Sequence, residues 1–310
     1  MLGATDSVAP LEGRRILATR AGALGDTILA LPALAALRMS VGPRGEIAFV
    51  GREPYVRLAE GPGHASRVHS IDRDPFRALF DSRVDDREFR SFLSPFDTVV
   101  SWSRLPLLRE KLGEGRQVLE ASPSPPEGVH ASEHLVRALS PLGVHATALA
   151  PRLEVSAAHR LEATRRLESL GLAPRDFVAI HPGSGSPKKN WPVERFESLA
   201  RLVERDGRKL LWIAGEADSD VVSHVLRRVP APVASNLPLP ALAALLSLAA
   251  LYVGNDSGVS HLAAAVSTPT LTLFGTTDPR SWAPLAATVV DFRDPPERVW
   301  AKALERIEPR

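Results

Sequence analysis

The 310-residue chain has no cysteine, only two methionines and two tyrosines, and only five lysines among its 38 basic residues. The lack of cysteine excludes disulfides, thiolate metal sites and a cysteine nucleophile. Basic and acidic side chains number 38 and 36, for a net charge of +2. A balance this close gives no sign of a nucleic-acid partner.

Long apolar runs are also lacking. The longest, Ala241 to Val253, is shorter than the roughly 20 residues that a membrane span requires. The first ten residues have neither the basic start nor the apolar stretch of a signal peptide. The sequence therefore predicts a soluble protein of the cytoplasm.

Short apolar runs alternate with helical patterns along most of the chain, which is typical of parallel sheets covered by helices. Both halves begin with a strand, a glycine-containing loop and a helix. We predict two Rossmann-like α/β domains that face each other across a cleft, residues 1–155 and 156–290, and a C-terminal helix within 291–310 that could pack back on the N-terminal domain. The predicted strands are residues 15–19, 46–50, 67–71, 97–101, 117–121, 177–181, 209–214, 232–235, 251–254, 270–274 and 288–291.

Ligands of such sheets bind at the carboxyl ends of the strands, so the loops that follow strands are the candidate sites. The first is Arg20 to Thr27 (RAGALGDT), where Gly22 and Gly25 permit a tight turn. Asp26 stands at the start of the next helix, where it could do chemistry or only cap the helix, and the residues alone favour the cap. Pro32 should kink this helix or mark its true first turn.

The second loop is His181 to Pro192 (HPGSGSPKKNWP). Gly183 and Gly185 let backbone amides approach an anion, a helix follows, and Lys188 and Lys189 add positive charge. This combination suits a diphosphate, although a polar surface turn would look similar. The loop matches neither a Walker motif nor the GxGxxG fingerprint, which argues against an NAD-dependent dehydrogenase.

The third loop is Gly254 to His261 (GNDSGVSH). Asp256 or Ser257 could cap the following helix, and the amides of Ser257 and Gly258 would then point at a ligand. His261 lies one helical turn after Ser257, although a histidine among small residues is more often packed. The residues alone leave the role of this loop open.

Two smaller features have alternative interpretations. Glu216, after a strand in WIAGEAD, could accept the hydroxyls of a ribose or be an exposed charge. His130 to His134 (HASEH) matches the zinc-binding pattern H-x-x-E-H, but it fits an amphipathic helix equally well and no third ligand accompanies it. We therefore predict no metal site.

Three blocks of sequence, Ile16 to Arg38, HPGSGSPKKNWPVERF and Val253 to Pro279, together resemble glycosyltransferase family 9, the ADP-heptose:lipopolysaccharide heptosyltransferases. The resemblance implies a GT-B architecture and an inverting transfer of heptose from ADP-heptose to a hydroxyl of a lipopolysaccharide-core-type acceptor. It implies no required metal or other cofactor. It also implies that the acceptor binds the N-terminal domain and the nucleotide sugar binds the C-terminal domain.

The resemblance also implies roles for single residues. Asp26 resembles the general base of the family, and Lys189 resembles the lysine that contacts the donor phosphates, with Lys188 beside it. The other implied donor-binding positions are Ser184 at the phosphates, Glu216 at the ribose, Leu237 at adenine through its backbone, Asp256 at the heptose hydroxyls, Ser257 and Gly258 at the phosphates through their amides, and His261 beside them.

Departures from the family pattern leave the acceptor open. The usual D-T-G is D-S-G here, and Ser101 to Arg104 (SWSR) stands where many members have an acidic residue, glutamine and glycine. A glycosyltransferase or epimerase for another nucleotide sugar, and a non-catalytic nucleotide-binding relative, are the alternatives. A lipid-linked acceptor would bring the protein to the inner membrane, with Arg73 to Arg90 as a contact surface or, because aspartates nearly balance its arginines, an ordinary solvated face.

Overall fold

Two compact units make up the chain, and they divide between Leu149 and Ala150. The computed structural model describes residues 11–307, except for the side chains of residues 217 and 219. Each unit contains one parallel β-sheet with helices between its strands. The predicted α/β class is confirmed, and each predicted strand is found within one residue of its expected limits.

The first unit contains β1 (Arg15–Arg20), α1 (Leu24–Val41), β2 (Glu46–Gly51), β3 (Arg67–Ser70), α2 (Arg87–Leu93), β4 (Thr98–Ser101), α3 (Leu108–Leu112), β5 (Gln117–Glu120) and α4 (Ala131–Arg137). Its strands are all parallel and have the order β3-β2-β1-β4-β5. Ile16 of β1 pairs with Ile47 on one side and Thr98 on the other. The strand order therefore reverses between β1 and β4, and such a reversal opens a crevice at the carboxyl ends of the two strands.

The first helix, α1, is apolar around most of its circumference. It is long and apolar enough to pass as a membrane span, but 67% of it is buried inside the protein, which is the behaviour of a core helix. The helix begins at Leu24 and continues through the buried Pro32. The expectation that Pro32 could mark the true first turn is therefore wrong.

The second unit contains α5 (Ala157–Ser169), β6 (Phe177–His181), α6 (Val193–Arg205), β7 (Lys209–Ala214), α7 (Ser219–Arg228), β8 (Val233–Ser235), α8 (Leu239–Ser247), β9 (Leu251–Asn255), α9 (Gly258–Ala265), β10 (Thr270–Phe274), α10 (Pro279–Trp282), β11 (Thr288–Asp291) and α11 (Pro296–Leu304). Its sheet has the order β11-β10-β9-β6-β7-β8, with every pair parallel. Here the order reverses between β6 and β9. The loops after these two strands are the predicted phosphate loop and the D-S-G loop.

The last helix, α11, packs on α6. Val299, Trp300 and Ala303 are buried in the apolar core that the second unit builds on one face of its sheet. Trp300 Nε1 also donates to Asp206 Oδ2 at 2.5 Å. The apolar face of the helix is thus covered by α6 and the core of its own unit.

The arginine-rich segment Arg73 to Arg90 has the features of a solvated surface and few of those of a lipid-binding surface. Phe76 and Phe89 are buried in the core of the first unit, and of the three phenylalanines in the segment only Phe80 is exposed. Three of its arginines form local ion pairs, Arg83 with Asp81 at 2.8 Å, Arg87 with Asp85 at 2.6 Å and Arg90 with Asp86 at 3.0 Å. These carboxylates compensate the charge that would otherwise attract anionic lipid.

Candidate functional site

The candidate donor site in the second unit centres on a contact between two of its loops. Lys189, in the loop after β6, places Nζ 2.7 Å from Oδ2 of Asp256, which follows β9. The same Oδ2 accepts a hydrogen bond from Thr277 Oγ1 at 2.6 Å, and Thr277 belongs to the loop after β10. Asp256 is nearly buried, with 8% of its side chain exposed, whereas Lys189 is 33% exposed. The carboxylate therefore anchors an ammonium group that remains accessible to a ligand.

Asn255, at the end of β9, holds the predicted phosphate loop by hydrogen bonds to its backbone. Its Oδ1 accepts the amide of Trp191 at 2.9 Å, and its Nδ2 donates to the carbonyls of Pro182 at 2.8 Å and Gly183 at 3.2 Å. The side chain is fully buried. One residue thus holds both ends of the predicted phosphate loop, since buried backbone groups need such partners.

The N-terminus of α9 forms the next wall of the site. Ser257 is its N-cap and accepts the amide of Ser260 at 3.4 Å, so the cap is Ser257 and not Asp256. The first amides of a helix, here beginning at Gly258, have no partner within the helix and favour an anion. His261 lies in the same helix and is almost completely buried.

The glycine-containing part of the phosphate loop is closed by its own hydrogen bonds. Ser184 Oγ lies 2.7 Å from the Ser186 carbonyl and 2.6 Å from Asn190 Oδ1, and it accepts the Ser186 amide at 3.2 Å. Gly183 is buried against the carboxylate of Asp218, so that a Cβ atom there would overlap that group. Gly185 faces open space instead.

A buried histidine–carboxylate pair lies behind this loop. His181 Nε2 and Asp218 Oδ2 are 2.8 Å apart, and Asp218 Oδ2 also accepts the Gly215 amide at 3.0 Å. Burial would raise the pKa of Asp218, but the hydrogen bond and charge of His181 together with the Gly215 amide outweigh burial and lower it. Asp218 is therefore an ionised link between the loops after β6 and β7. Glu216, the predicted ribose ligand, is exposed in the second of these loops.

Leu237, the predicted adenine contact, follows β8 and borders a groove of about 190 Å³ between α5 and α8. His159 and Arg166 of α5 line one side of the groove, and Pro238 and Ala241 line the other with Leu237. The mixture of apolar walls with a few polar groups is usual for small-molecule sites.

In the first unit, Asp26 lies in the first turn of α1, where its carboxylate accepts two hydrogen bonds. Arg20 NH2 donates to Oδ1 at 2.5 Å, and the Ala23 amide donates to Oδ2 at 2.9 Å. Asp26 therefore accepts a backbone amide at the N-terminus of α1, although the N-cap residue itself is Ala23. Gly22 lies so close that a Cβ atom there would overlap the Asp26 side chain. Gly25 lies within the same first helical turn.

The histidines and the glutamate of the zinc-like motif His130 to His134 all have protein partners. His130 is the N-cap of α4, and its Nδ1 accepts the Ser132 amide at 3.2 Å, while His134 Nε2 lies 2.8 Å from the Ser122 carbonyl. Glu133 pairs with Arg137. Among residues 11–307, no group of three or more histidine, aspartate or glutamate side chains is arranged to hold a metal ion.

Several site residues were missed by the sequence interpretation. Asn255 and Thr277 stand within quoted motifs, Asn255 at the end of β9 and Thr277 three residues after β10, and these positions near the carboxyl ends of strands were the available signal. Arg20, His181 and Asp218 gave a weaker signal, because an arginine, histidine or aspartate near the end of a strand has many ordinary roles. Their function emerges only from the contacts.

Comparison with known proteins identifies the family. The profile of "Glycosyltransferase family 9 (heptosyltransferase)" matches residues 121–304, more than half of the chain. The chain belongs to glycosyltransferase family 9. Within this family it is 28% identical over 185 residues to lipopolysaccharide heptosyltransferase 3 of Escherichia coli, an alignment that covers 56% of this chain and 54% of that protein. The family 9 chain thus spans about half the length of this curated relative.

Solved structures share the fold. A family 9 glycosyltransferase from Veillonella parvula superposes with a TM-score of 0.79 at 23% identity, over 97% of this chain and 92% of that one. The E. coli heptosyltransferase WaaC with ADP superposes with a TM-score of 0.71 at 18% identity, over 94% and 99%. At these identities the likeness establishes the architecture, and both units of the family 9 chain are included in it.

Proposed function

We propose that this chain is an inverting glycosyltransferase that moves heptose from ADP-heptose to a hydroxyl of a lipopolysaccharide-core-type acceptor. The observation that carries the proposal is the cluster of Lys189, Asp256 and Thr277, where three loops after adjacent strands present an anchored cation beside a helix N-terminus. Family membership and the WaaC complex with ADP support the choice of donor.

The second unit would hold the donor. Lys189, Lys188 and the amides of Ser257 and Gly258 would bind the diphosphate, with Ser184 shaping the loop around it. Asp256 would share its second carboxylate oxygen with heptose hydroxyls, and His261 would support α9 from its buried side. Toward the nucleoside end, Glu216 would accept the ribose hydroxyls and the groove beside Leu237 would take adenine.

The first unit would supply the base. In the transfer, the acceptor hydroxyl oxygen forms a bond to the anomeric carbon from the face opposite the diphosphate. The bond between that carbon and the phosphate oxygen breaks, its electron pair leaves with ADP, and the hydroxyl proton passes to Asp26. One attack from the opposite face inverts the configuration, and a positioned carboxylate contributes about 10²- to 10⁴-fold to such a step.

The proposal includes metal independence. Lysine ammonium groups and the N-terminus of α9 meet the negative charge that develops on the diphosphate, which is the electrostatic work that a divalent cation does in other transferases. Turnover should therefore persist in excess EDTA. A requirement for an added divalent cation would refute this part of the proposal while leaving the donor assignment intact.

Cytoplasmic location, with peripheral contact at the inner membrane, is the remaining part of the proposal. It rests only on the proposed lipopolysaccharide acceptor. The local ion pairs of residues 73–90 argue against that segment as the surface that would contact the membrane. Sedimentation with vesicles of anionic lipid tests it. Failure to co-sediment at low salt would exclude stable membrane contact.

The decisive experiment is a thermal-shift screen of ADP-heptose, other ADP-sugars and UDP-sugars, followed by ADP release with a panel of heptose-deficient lipopolysaccharides. A ligand that binds only the folded state raises the unfolding midpoint. We expect ADP-heptose to give the largest shift and one acceptor to support turnover that Asp26→Asn lowers about 100-fold or more. A preference for UDP-sugars, or full turnover by Asp26→Asn, would reject the donor or the base, respectively.

A further inference from the structure

Arg20 is buried at the end of β1, and its guanidinium contacts three separate parts of the first unit. NH1 donates to the carbonyls of Trp102 and Pro123, both at 2.8 Å, while NH2 donates to Asp26 Oδ1 at 2.5 Å. Trp102 follows β4 and Pro123 follows β5. A single side chain therefore links the loops after three adjacent strands.

The geometry of this group determines where Asp26 can lie. A guanidinium is planar and its donors form a rigid fork, so two bonds at NH1 fix the direction in which NH2 points. The Arg20 side chain is 4% exposed and Asp26 is 29% exposed. The anchored end of the pair is thus inside the unit, and the carboxylate is the end that solvent or a substrate can reach.

The Asp26 carboxylate is held in place but can still accept further hydrogen bonds. Oδ1 has one protein donor in Arg20 and Oδ2 has one in Ala23, and each carboxylate oxygen can accept about two hydrogen bonds. Each oxygen therefore keeps a direction in which a substrate hydroxyl could donate. The second anchor is steric, because the missing Cβ of Gly22 leaves the space that the Asp26 side chain occupies.

We infer that Arg20 is a positioning residue for the base: it fixes the orientation of the Asp26 carboxylate and ties it to the loops after β4 and β5. This inference rests on the proposed function, in which Asp26 accepts the acceptor proton. Through its bond to the Trp102 carbonyl, Arg20 also connects the base to the segment Ser101 to Arg104 (SWSR) at the end of β4.

Arg116 provides a matched control. Its guanidinium makes three hydrogen bonds within the first unit as well, all of them to backbone carbonyls: Leu112 at 2.8 Å, Phe96 at 3.2 Å and Leu93 at 3.4 Å. It precedes β5 and so lies at the amino ends of the strands, away from Asp26. Arg116→Met therefore removes a comparable set of bonds without touching the site.

The test compares Arg20→Met, Arg20→Lys and Arg116→Met for unfolding midpoint, ADP affinity and ADP release with the acceptor selected above. We expect both methionine variants to lose stability and neither to change ADP affinity by more than about twofold. Arg20→Met should lower kcat by roughly 10- to 100-fold, as a misplaced catalytic group does. Arg20→Lys should restore charge but little turnover, since an ammonium cannot reproduce the fork.

Combination with Asp26→Asn separates this inference from the proposed function. If Arg20 acts through Asp26, Arg20→Met has little further effect in the Asp26→Asn background, because coupled residues are not additive. Equal effects in both backgrounds, or full turnover by Arg20→Met, would overturn the inference. Full turnover by Asp26→Asn would instead reject the base itself.

Two further variants keep the inference testable if Arg20→Met fails to fold. Gly22→Ala leaves every charge in place but pushes on Asp26, and we expect it to lower kcat without changing ADP affinity. A crystal structure of Arg20→Lys gives a readout independent of turnover. An Asp26 carboxylate that stays in its original place would contradict the positioning role.

Discussion

Lys189→Met removes the ammonium group of the candidate donor site while keeping most of the length of the side chain. Two unit charges about 4 Å apart attract by about 4 kcal/mol at an effective dielectric constant of 20. Desolvation and lost side-chain freedom offset most of this, and Lys189 is one-third exposed, so we expect a net loss of about 1–2 kcal/mol. Thr277 continues to donate to the Asp256 carboxylate that is left behind.

The effect on ligand affinity should be larger than the effect on folding. A hydrogen bond to a charged group contributes about 1.5–3 kcal/mol, which corresponds to roughly a 10- to 150-fold weaker Kd for ADP. Isothermal titration calorimetry measures the change in Kd directly. The separate loss of about 1–2 kcal/mol in stability should lower the unfolding midpoint by about 3–6 °C in a unit of this size.

Lys302→Met is the matched control for this prediction. Lys302 pairs with Asp294 at 2.9 Å in the same unit, and the two side chains are 32% and 13% exposed, close to the values for Lys189 and Asp256. It should cost similar stability and leave ADP affinity unchanged. Unchanged ADP affinity in Lys189→Met, or an equal loss in both variants, would refute the assignment of Lys189 to the diphosphate.

Three other predictions concern the phosphate loop and the residues that support it. Gly183→Ala should displace the Asp218 carboxylate and weaken ADP binding, whereas Gly185→Ala, which faces open space, should change calorimetric affinity little. Because the pKa of Asp218 is lowered in the folded state, its stabilisation is present above the ordinary pKa of about 3.9 and is lost as pH falls further. The difference in unfolding free energy between wild type and Asp218→Asn should therefore narrow below about pH 4; a constant difference from pH 7 to pH 3 would contradict a lowered pKa of Asp218. Asn255→Ala leaves one amide and two carbonyls without their partner and should destabilise the protein by about 2–4 kcal/mol in urea titrations; a loss below about 1 kcal/mol would show that the loop does not depend on this side chain.

The strands were predictable because buried parallel strands are short, nearly continuous apolar runs. Phe177–His181 and Thr270–Phe274 have the expected limits, and β9 extends one residue further, through Asn255. The additional residue matters, because a buried asparagine in a strand has no apolar signal. Its role depends on the Pro182, Gly183 and Trp191 backbone groups that it contacts.

Contacts between loops were only partly predictable. Lys189 and Asp256 each follow a strand, but nothing in the sequence states that β6 and β9 are neighbours, since they are separated along the chain by β7 and β8. The bonds from Arg20 to Trp102 and Pro123 join residues 82 and 103 positions apart. Such pairings are set by strand order, and local patterns do not encode it.

Each of the two units contains an ion pair with one buried and one accessible member, and the sign of the accessible charge differs between them. In the first, the buried member of the ion pair is the cation Arg20 and the accessible member is the carboxylate of Asp26. In the second, the buried member is the carboxylate of Asp256 and the accessible member is the ammonium of Lys189. Each unit therefore presents one charged group whose counter-charge lies inside the same unit.

This arrangement suits a displacement that needs an anionic base and a cationic clamp for the leaving group. A lone charge would be free to adopt many rotamers, whereas a charge held by a buried partner has its orientation set before a ligand arrives. The cost is that the partner competes with the ligand for the same group, so in the proposed donor complex Asp256 would share Lys189 with the diphosphate. Because Thr277 donates to the same oxygen of Asp256, the carboxylate would keep a hydrogen-bond donor if the ammonium turned toward a phosphate, and the cost of breaking the ion pair on binding would be correspondingly smaller.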